Sequence, residues 1–167
     1  YYRDFTRLVD AQAQAEALSN ENLRLANIDS LTMLPNRRKF FSELYASCMQ
    51  AEQDGSRFAV GILDLDGFKP VNDLYGHSVG DKLLFAVGQR LLKLCDEDTH
   101  LARLGGDEFA IIITREMDDQ ALLLFGTQLC ESLRRPFMIA DTLIQIAASM
   151  GLVTYPDMAG NATDLFE

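Results

Sequence analysis

Residues 103 to 109 read Arg-Leu-Gly-Gly-Asp-Glu-Phe, two adjacent glycines followed by two adjacent acids. Apolar stretches flank the run on both sides, from 99 to 104 and from 109 to 114. Each is about the length of a strand, so Gly105 and Gly106 read as a tight hairpin turn. Asp107 and Glu108 then stand at the turn, beside a backbone that a ligand can approach closely. Carboxylate oxygens are hard ligands of the kind Mg²⁺ takes, in company with substrate phosphate oxygens. A plain solvated turn is also rich in Gly and Asp, so the run alone leaves both readings open.

A second acidic group lies upstream. Residues 58 to 65 form an apolar run that ends in acid, with Asp64 and Asp66 on either side of Leu65. Alternate side chains of a strand share a face, so Asp64 and Asp66 point the same way. Acids at the end of a buried strand are costly unless they are paired, solvated or metal-bound. The segment from Gly67 to Asp81 has little apolar periodicity and many polar groups. It reads as a long functional loop.

The elements that must position these residues follow from periodicity. Residues 1 to about 28 contain no Gly or Pro and are rich in Ala, Gln, Leu and Glu, which favours helix. Leu8, Ala11, Ala15, Leu18, Asn22 and Leu25 fall on a heptad seam, a pattern for a coiled coil. A lone amphipathic helix packed on its own domain is the competing reading. Pro35 suits the first turn of a helix over residues 36–53, with Gly55 as its stop. A strand over 57–65, a helix over 78–94, the hairpin at 99–114, a helix over 117–134, and strands over 136–139 and 143–154 follow. The order β-α-β-β-α-β predicts an α+β, ferredoxin-like antiparallel sheet carrying two helices on one face.

Composition excludes several classes. The chain has 167 residues, 48% of them hydrophobic, and a formal net charge of −10. That charge argues against nucleic acid as a partner, which needs a basic patch. No apolar run approaches the roughly 18 residues of a membrane span. The opening Tyr-Tyr-Arg-Asp-Phe does not read as a secretory leader. Cys48, Cys95 and Cys130 are odd in number, widely spaced and set in helix-like segments. They read as buried free thiols in a reducing cytoplasm.

Four motifs lie in order along the chain: Asp29-Ser-Leu-Thr-Met-Leu-Pro-Asn-Arg37, Asp64-Leu-Asp-Gly-Phe-Lys-Pro-Val-Asn-Asp73, Gly76-His-Ser-Val-Gly-Asp81 and Arg103-Leu-Gly-Gly-Asp-Glu-Phe109. Their order and spacing resemble the GGDEF domain of diguanylate cyclases, from about Asp29 to Pro156. The resemblance implies a nucleotidyl-cyclase-like fold preceded by an N-terminal signalling helix. It divides the chain into a helical linker at 1–28 and a catalytic domain at 29–167. Relatives continue through a further helix, whose basic residues hold the triphosphate, and a final strand. Residues 161–167 read as the opening of that helix.

The implied reaction condenses two GTP molecules to cyclic di-GMP and two pyrophosphates. The implied cofactor is Mg²⁺ or Mn²⁺, ligated by Asp64, Asp107 and the Leu65 carbonyl. Glu108 matches the acidic position that binds metal or removes a proton. Gly105 and Gly106 let substrate approach, and the amides of Gly67, Phe68 and Lys69 meet the phosphates. Asn72 and Asp81 match the residues that read guanine. The implied partners are a second copy, an upstream sensor and, in some relatives, a downstream EAL domain. The setting is cytoplasmic, or the cytoplasmic part of a membrane-anchored protein. A non-catalytic GTP-binding regulatory domain is the alternative, and an adenylyl-type cyclase suits the fold but not Asn72 and Asp81.

Other residues have blander roles. Arg103 reads as an ion-pair anchor for the hairpin, His77 as a structural histidine, and Asp66 and Asp73 as braces of the loop. The run Asp96-Glu97-Asp98 reads as a solvated helix end. Many relatives carry an Arg-x-x-Asp product-inhibition motif here, and this chain has Asp96 and Thr99 in its place.

Overall fold

The computed structural model describes residues 2–156, with side chains from residue 6 onward. Its elements in chain order are α1 (Tyr2–Asn27), α2 (Arg37–Asp54), β1 (Phe58–Asp66), α3 (Phe68–Tyr75), α4 (His77–Leu92), β2 (Thr99–Gly105), β3 (Glu108–Ile113), α5 (Asp119–Arg134), β4 (Phe137–Ile139), β5 (Thr142–Ile144) and β6 (Ala147–Tyr155). The expected further helix at 161–167 lies outside the described residues.

The main sheet has the order β2-β3-β1-β6, with every neighbouring pair antiparallel. This is the expected ferredoxin-like plan, in which β1 and β2 run parallel with β3 between them. β4 and β5 form a separate two-stranded hairpin.

Strand alternation divides the core in two. Leu63 and Leu65 of β1 and Phe109, Ile111 and Ile113 of β3 pack with Leu83, Val87 and Leu91 of α4 and Leu129 and Leu133 of α5. Phe58 and Val60 of β1 and Ala110 and Ile112 of β3 face the other way. They pack under Phe40, Leu44 and Cys48 of α2. Each fully buried Leu or Phe of this kind contributes roughly 1.5–3 kcal/mol of transfer free energy.

Several expectations need correction. The segment from 67 to 81 is not a long loop: it folds into α3 and the first turns of α4. Phe68 and Val71 are buried, and two apolar anchors suffice for so short a helix. Pro70 falls in the first turn, where its missing N–H is not needed. Pro35 lies before α2 rather than within it: Asn36 is the N-cap, and its side chain accepts from the Lys39 N–H at 3.0 Å. The stop at Gly55 holds, in left-handed backbone at φ 72°. The helix expected from 117 starts at Asp119, because the Asp118 side chain caps it by accepting from the Ala121 N–H at 2.7 Å. The single strand expected over 143–154 is two, β5 and β6. β5 belongs to a hairpin whose turn places Ala140 and Asp141 at positive φ without a glycine.

The cysteines are free, with Cys48 buried and the other two half-buried. Cys95 lies just beyond α4 rather than in a helix, and burial pushes its thiol up to about 11.

α1 stands away from the domain. Leu8, Leu18 and Leu25 are all exposed, as are Ala11, Ala15 and Asn22. The helix therefore does not pack its seam on its own domain. No described helix is long and apolar enough to cross a membrane.

Candidate active site

The face of the sheet beneath α2 changes character along its length. Phe58, Val60 and Ile62 occupy it in the half that α2 covers. Continuing the alternation places Asp64 and Asp66 on the same face, and both are exposed. On β3, Ala110 and Ile112 lie on this face, and the same alternation adds Glu108. β1 and β3 keep unbroken register, with Asp64 directly opposite Glu108. On β6, Ser149 is the Cα partner of Asp64 on the other flank. One half of this face is thus an apolar seat for α2 and the other an open acidic shelf.

The hairpin turn closes the end of the shelf. Gly105 and Gly106 have φ of 144° and 49°, conformations costly for a side chain. The register shifts between Arg103 and Gly105, which leaves Leu104 as a bulge at the turn. The Leu65 N–H donates to the Asp107 carbonyl at 3.1 Å, tying the end of β1 to the turn. Arg103 braces the turn from behind, with Nε at 3.2 Å and Nη2 at 2.9 Å from the Gly106 carbonyl. Its Nη1 donates to Asp29 at 2.8 Å. Burial pushes the Asp29 carboxyl up, but the Thr32 hydroxyl and N–H and the Arg103 guanidinium hold it below the usual range. Arg103 is therefore the ion-pair anchor expected of it.

Beyond Asp66 the chain turns through Gly67 at φ 89°, which is the N-cap of α3. The amides of Gly67, Phe68 and Lys69 thus sit at the start of a helix that leaves the end of the acidic strand. Asn72, on α3, packs against Gly80 of α4. A Cβ at Gly80 would lie 1.6 Å from Asn72 Oδ1. That oxygen is buried without a hydrogen-bond partner, which is costly unless a ligand supplies a donor. Asp81, the next residue, is exposed. His77 is also exposed at the first position of α4.

The donor set suits a hard divalent cation. Asp64 and Asp107 offer carboxylates and Leu65 a backbone carbonyl. Among the described residues no cluster of three His, Cys, Asp or Glu is set to hold a metal. Such an ion here needs further ligands from a bound molecule, the habit of Mg²⁺ with nucleotide phosphates.

Three sets of contacts escaped the sequence reading. Ser149 donates to Asp66 at 2.7 Å, a contact between strands 83 residues apart that no local pattern announces. The Thr32 N–H donating to Asp29 Oδ2 at 2.9 Å also went unread, although the Asp-x-x-Thr spacing commonly marks a side chain accepting from an N–H three residues on. Asp96 is more than solvated: it accepts from Thr99 Oγ1 at 2.9 Å and from the Asp98 N–H at 3.0 Å, and it pairs with Arg115.

Residues 26–167 match the family model described as diguanylate cyclase, GGDEF domain. The chain is 42% identical to the bifunctional diguanylate cyclase/cyclic di-GMP phosphodiesterase MucR of Pseudomonas aeruginosa, over 83% of this chain and 20% of that protein. It is 37% identical to the cyclic di-GMP phosphodiesterase PdeR of Escherichia coli, over 89% of this chain and 22% of that protein. It spans about a fifth of the length of these two relatives. Among solved structures, the coiled coil and GGDEF domain of DgcB from Caulobacter crescentus, in complex with c-di-GMP, superposes with a TM-score of 0.83 at 28% identity. That match covers 96% of this chain and 87% of the other. The chain belongs to the diguanylate cyclase GGDEF family.

Proposed function

We propose that the chain is the catalytic domain of a diguanylate cyclase, which condenses two GTP to cyclic di-GMP and two pyrophosphates. The observation that carries this reading is the unbroken register that sets Asp64 opposite Glu108 while Leu65 ties Asp107 to the same strand end. Three acids at one open strand end serve charge chemistry on a nucleoside triphosphate better than they serve stability.

Asp64, Asp107 and the Leu65 carbonyl hold the metal, and bound Mg²⁺ or Mn²⁺ supplies charge neutralisation on the triphosphate and a lower pKa for the attacking hydroxyl. The amides of Gly67, Phe68 and Lys69 donate to the phosphate oxygens. Gly105 and Gly106 leave room for the nucleotide above the turn. Asn72 and Asp81 read the guanine edge. In each half-reaction a 3′-oxygen bonds to the α-phosphorus of the other GTP, and the bond from that phosphorus to the pyrophosphate oxygen breaks. Glu108 stands on the shelf to take the proton or to support the metal.

One domain holds one GTP, so two copies must face each other, and the exposed seam of α1 is suited to pair them. The full protein places this domain after a sensor and, as the length of its relatives suggests, beside further domains such as an EAL phosphodiesterase. The position of the family's product-inhibition motif does not bind cyclic di-GMP here, since Asp96 puts an anion where the motif has an Arg and is itself held by Thr99, the Asp98 N–H and Arg115.

A second reading is a regulatory domain that binds GTP without turnover, favoured by the likeness to a protein named as a phosphodiesterase. Incubating the protein with GTP and Mg²⁺ and identifying the products separates the two. Cyclic di-GMP with pyrophosphate supports the cyclase. Tight GTP binding without product supports the regulatory domain, and neither binding nor product defeats both.

A further inference from the structure

Asp66 shares its strand face with Asp64, yet only one of the two points its carboxylate at a described partner. Ser149 Oγ donates to Asp66 Oδ2 at 2.7 Å. The Cα register pairs Ser149 with Asp64 and Asp66 with Ala147, so the contact is diagonal, within reach of side chains on adjacent strands. Ser149 is exposed, and its neighbours Ala148 and Met150 pack on the opposite face. Its side chain therefore has no packing task. A hydroxyl in this place does one thing, which is to hold a carboxylate.

That carboxylate has a position to keep. Asp66 is the last residue of β1, and one residue later Gly67 turns the chain into α3. The β1–β6 ladder holds the Asp66 backbone opposite Ala147, and the bond from Ser149 ties its side chain to the same strand just before the amides of residues 67 to 69. Without that donor the Asp66 carboxylate would be free to swing along the face toward Asp64 and compete with it for a cation.

We propose that Ser149 is a positioning residue: it holds Asp66 toward β6, leaves Asp64 as the β1 carboxylate for the cation, and keeps the amides of Gly67 to Lys69 aimed at the phosphates. This rests on the GTP-site reading above.

The test is calorimetric binding of a GTP analogue with a methylene between its α- and β-phosphates, across a Mg²⁺ series. No turnover is needed. Ser149→Ala should weaken binding about five-fold, the scale of one ordinary solvent-exposed hydrogen bond, and should shift the Mg²⁺ dependence. Ser149→Thr, which keeps the hydroxyl, should restore both. Asp66→Ala, which leaves Ser149 no carboxylate to hold, should weaken binding to a similar extent, and the double variant should be no weaker than either single one. A Ser149→Ala protein with wild-type affinity and Mg²⁺ dependence would overturn the proposal while leaving the GTP site standing. So would effects of the two substitutions that simply add. A wild-type protein that does not bind the analogue would remove the GTP site and this inference with it.

Discussion

Arg103 Nη1 donates to Asp29 Oδ1 at 2.8 Å, and the two side chains are only 12% and 17% exposed. The pair joins the segment after α1 to the hairpin turn, because the same guanidinium also holds the Gly106 carbonyl. The Arg103 N–H adds a bond to the Pro35 carbonyl at 3.0 Å, and Asn36 Nδ2 reaches back to the Ala26 carbonyl at 3.0 Å. A continuous set of contacts thus runs from the base of α1 to the glycine turn. Arg103→Ala should cost about 2–4 kcal/mol, since it strands a largely buried carboxylate. Denaturant unfolding measures the loss, and a cost within about 0.5 kcal/mol of zero would show that solvent compensates the pair.

The same pair gives a pH signature. The folded Asp29 carboxyl lies below its usual value, so its contribution is complete above the ordinary Asp value of about 3.9. It is lost as pH falls through the lower folded value. Asp29→Asn should therefore flatten the acid limb of the stability curve. Unfolding midpoints between about pH 2 and 6 check this, and parallel curves for the two proteins would contradict it.

Asp107→Ala should abolish product formation with little change in thermal stability. The bond that ties Asp107 to β1 uses its backbone carbonyl, which alanine keeps. Losing a carboxylate that holds the metal should cost the reaction roughly 10²-fold or more. Retained turnover in a folded variant would remove Asp107 from the site.

Gly80→Ala should weaken GTP binding through Asn72. An added methyl would sit 1.6 Å from Asn72 Oδ1, so the amide must move or the two helices must part. Overpacking of this kind costs about 1–3 kcal/mol. Asp81→Ala leaves that packing alone and should instead relax the choice of purine. Equal ratios of GTP to ATP affinity before and after would clear Asp81 of any part in reading the base.

Leu18→Glu with Leu25→Glu should lower specific activity at low protein concentration and leave the melting of the domain unchanged. Both leucines are exposed on α1, at 66% and 60%, so charge there disturbs association rather than the core. Full activity on dilution would show that the seam does not pair the copies.

Much of this architecture is written locally. Gly55, the apolar run 58–65 and the Gly105-Gly106 turn each announce an element because one residue type dictates one backbone state. α3 was hidden, since eight residues with two buried side chains give too little periodicity to register. The hairpin at Ala140-Asp141 was hidden because its positive φ is held without glycine. At the candidate site, Asp64, Asp107 and Glu108 stand out by type and motif, and their gathering at one strand end depends on the pairing of β1 with β3. The bond from Ser149 to Asp66 was not, because it depends on which strands the sheet places side by side.

The strand order has a kinetic corollary. β1 and β3 are the two inner strands, flanked by β6 and β2, and their pairing from Ala59–Ile113 to Asp64–Glu108 has no register shift. The outer strands of a sheet open more readily than the inner ones. Amide exchange should then be slowest along β1 and β3, with Leu65 among the last to exchange. The acids at their ends would keep their spacing through every partial opening that spares this pair.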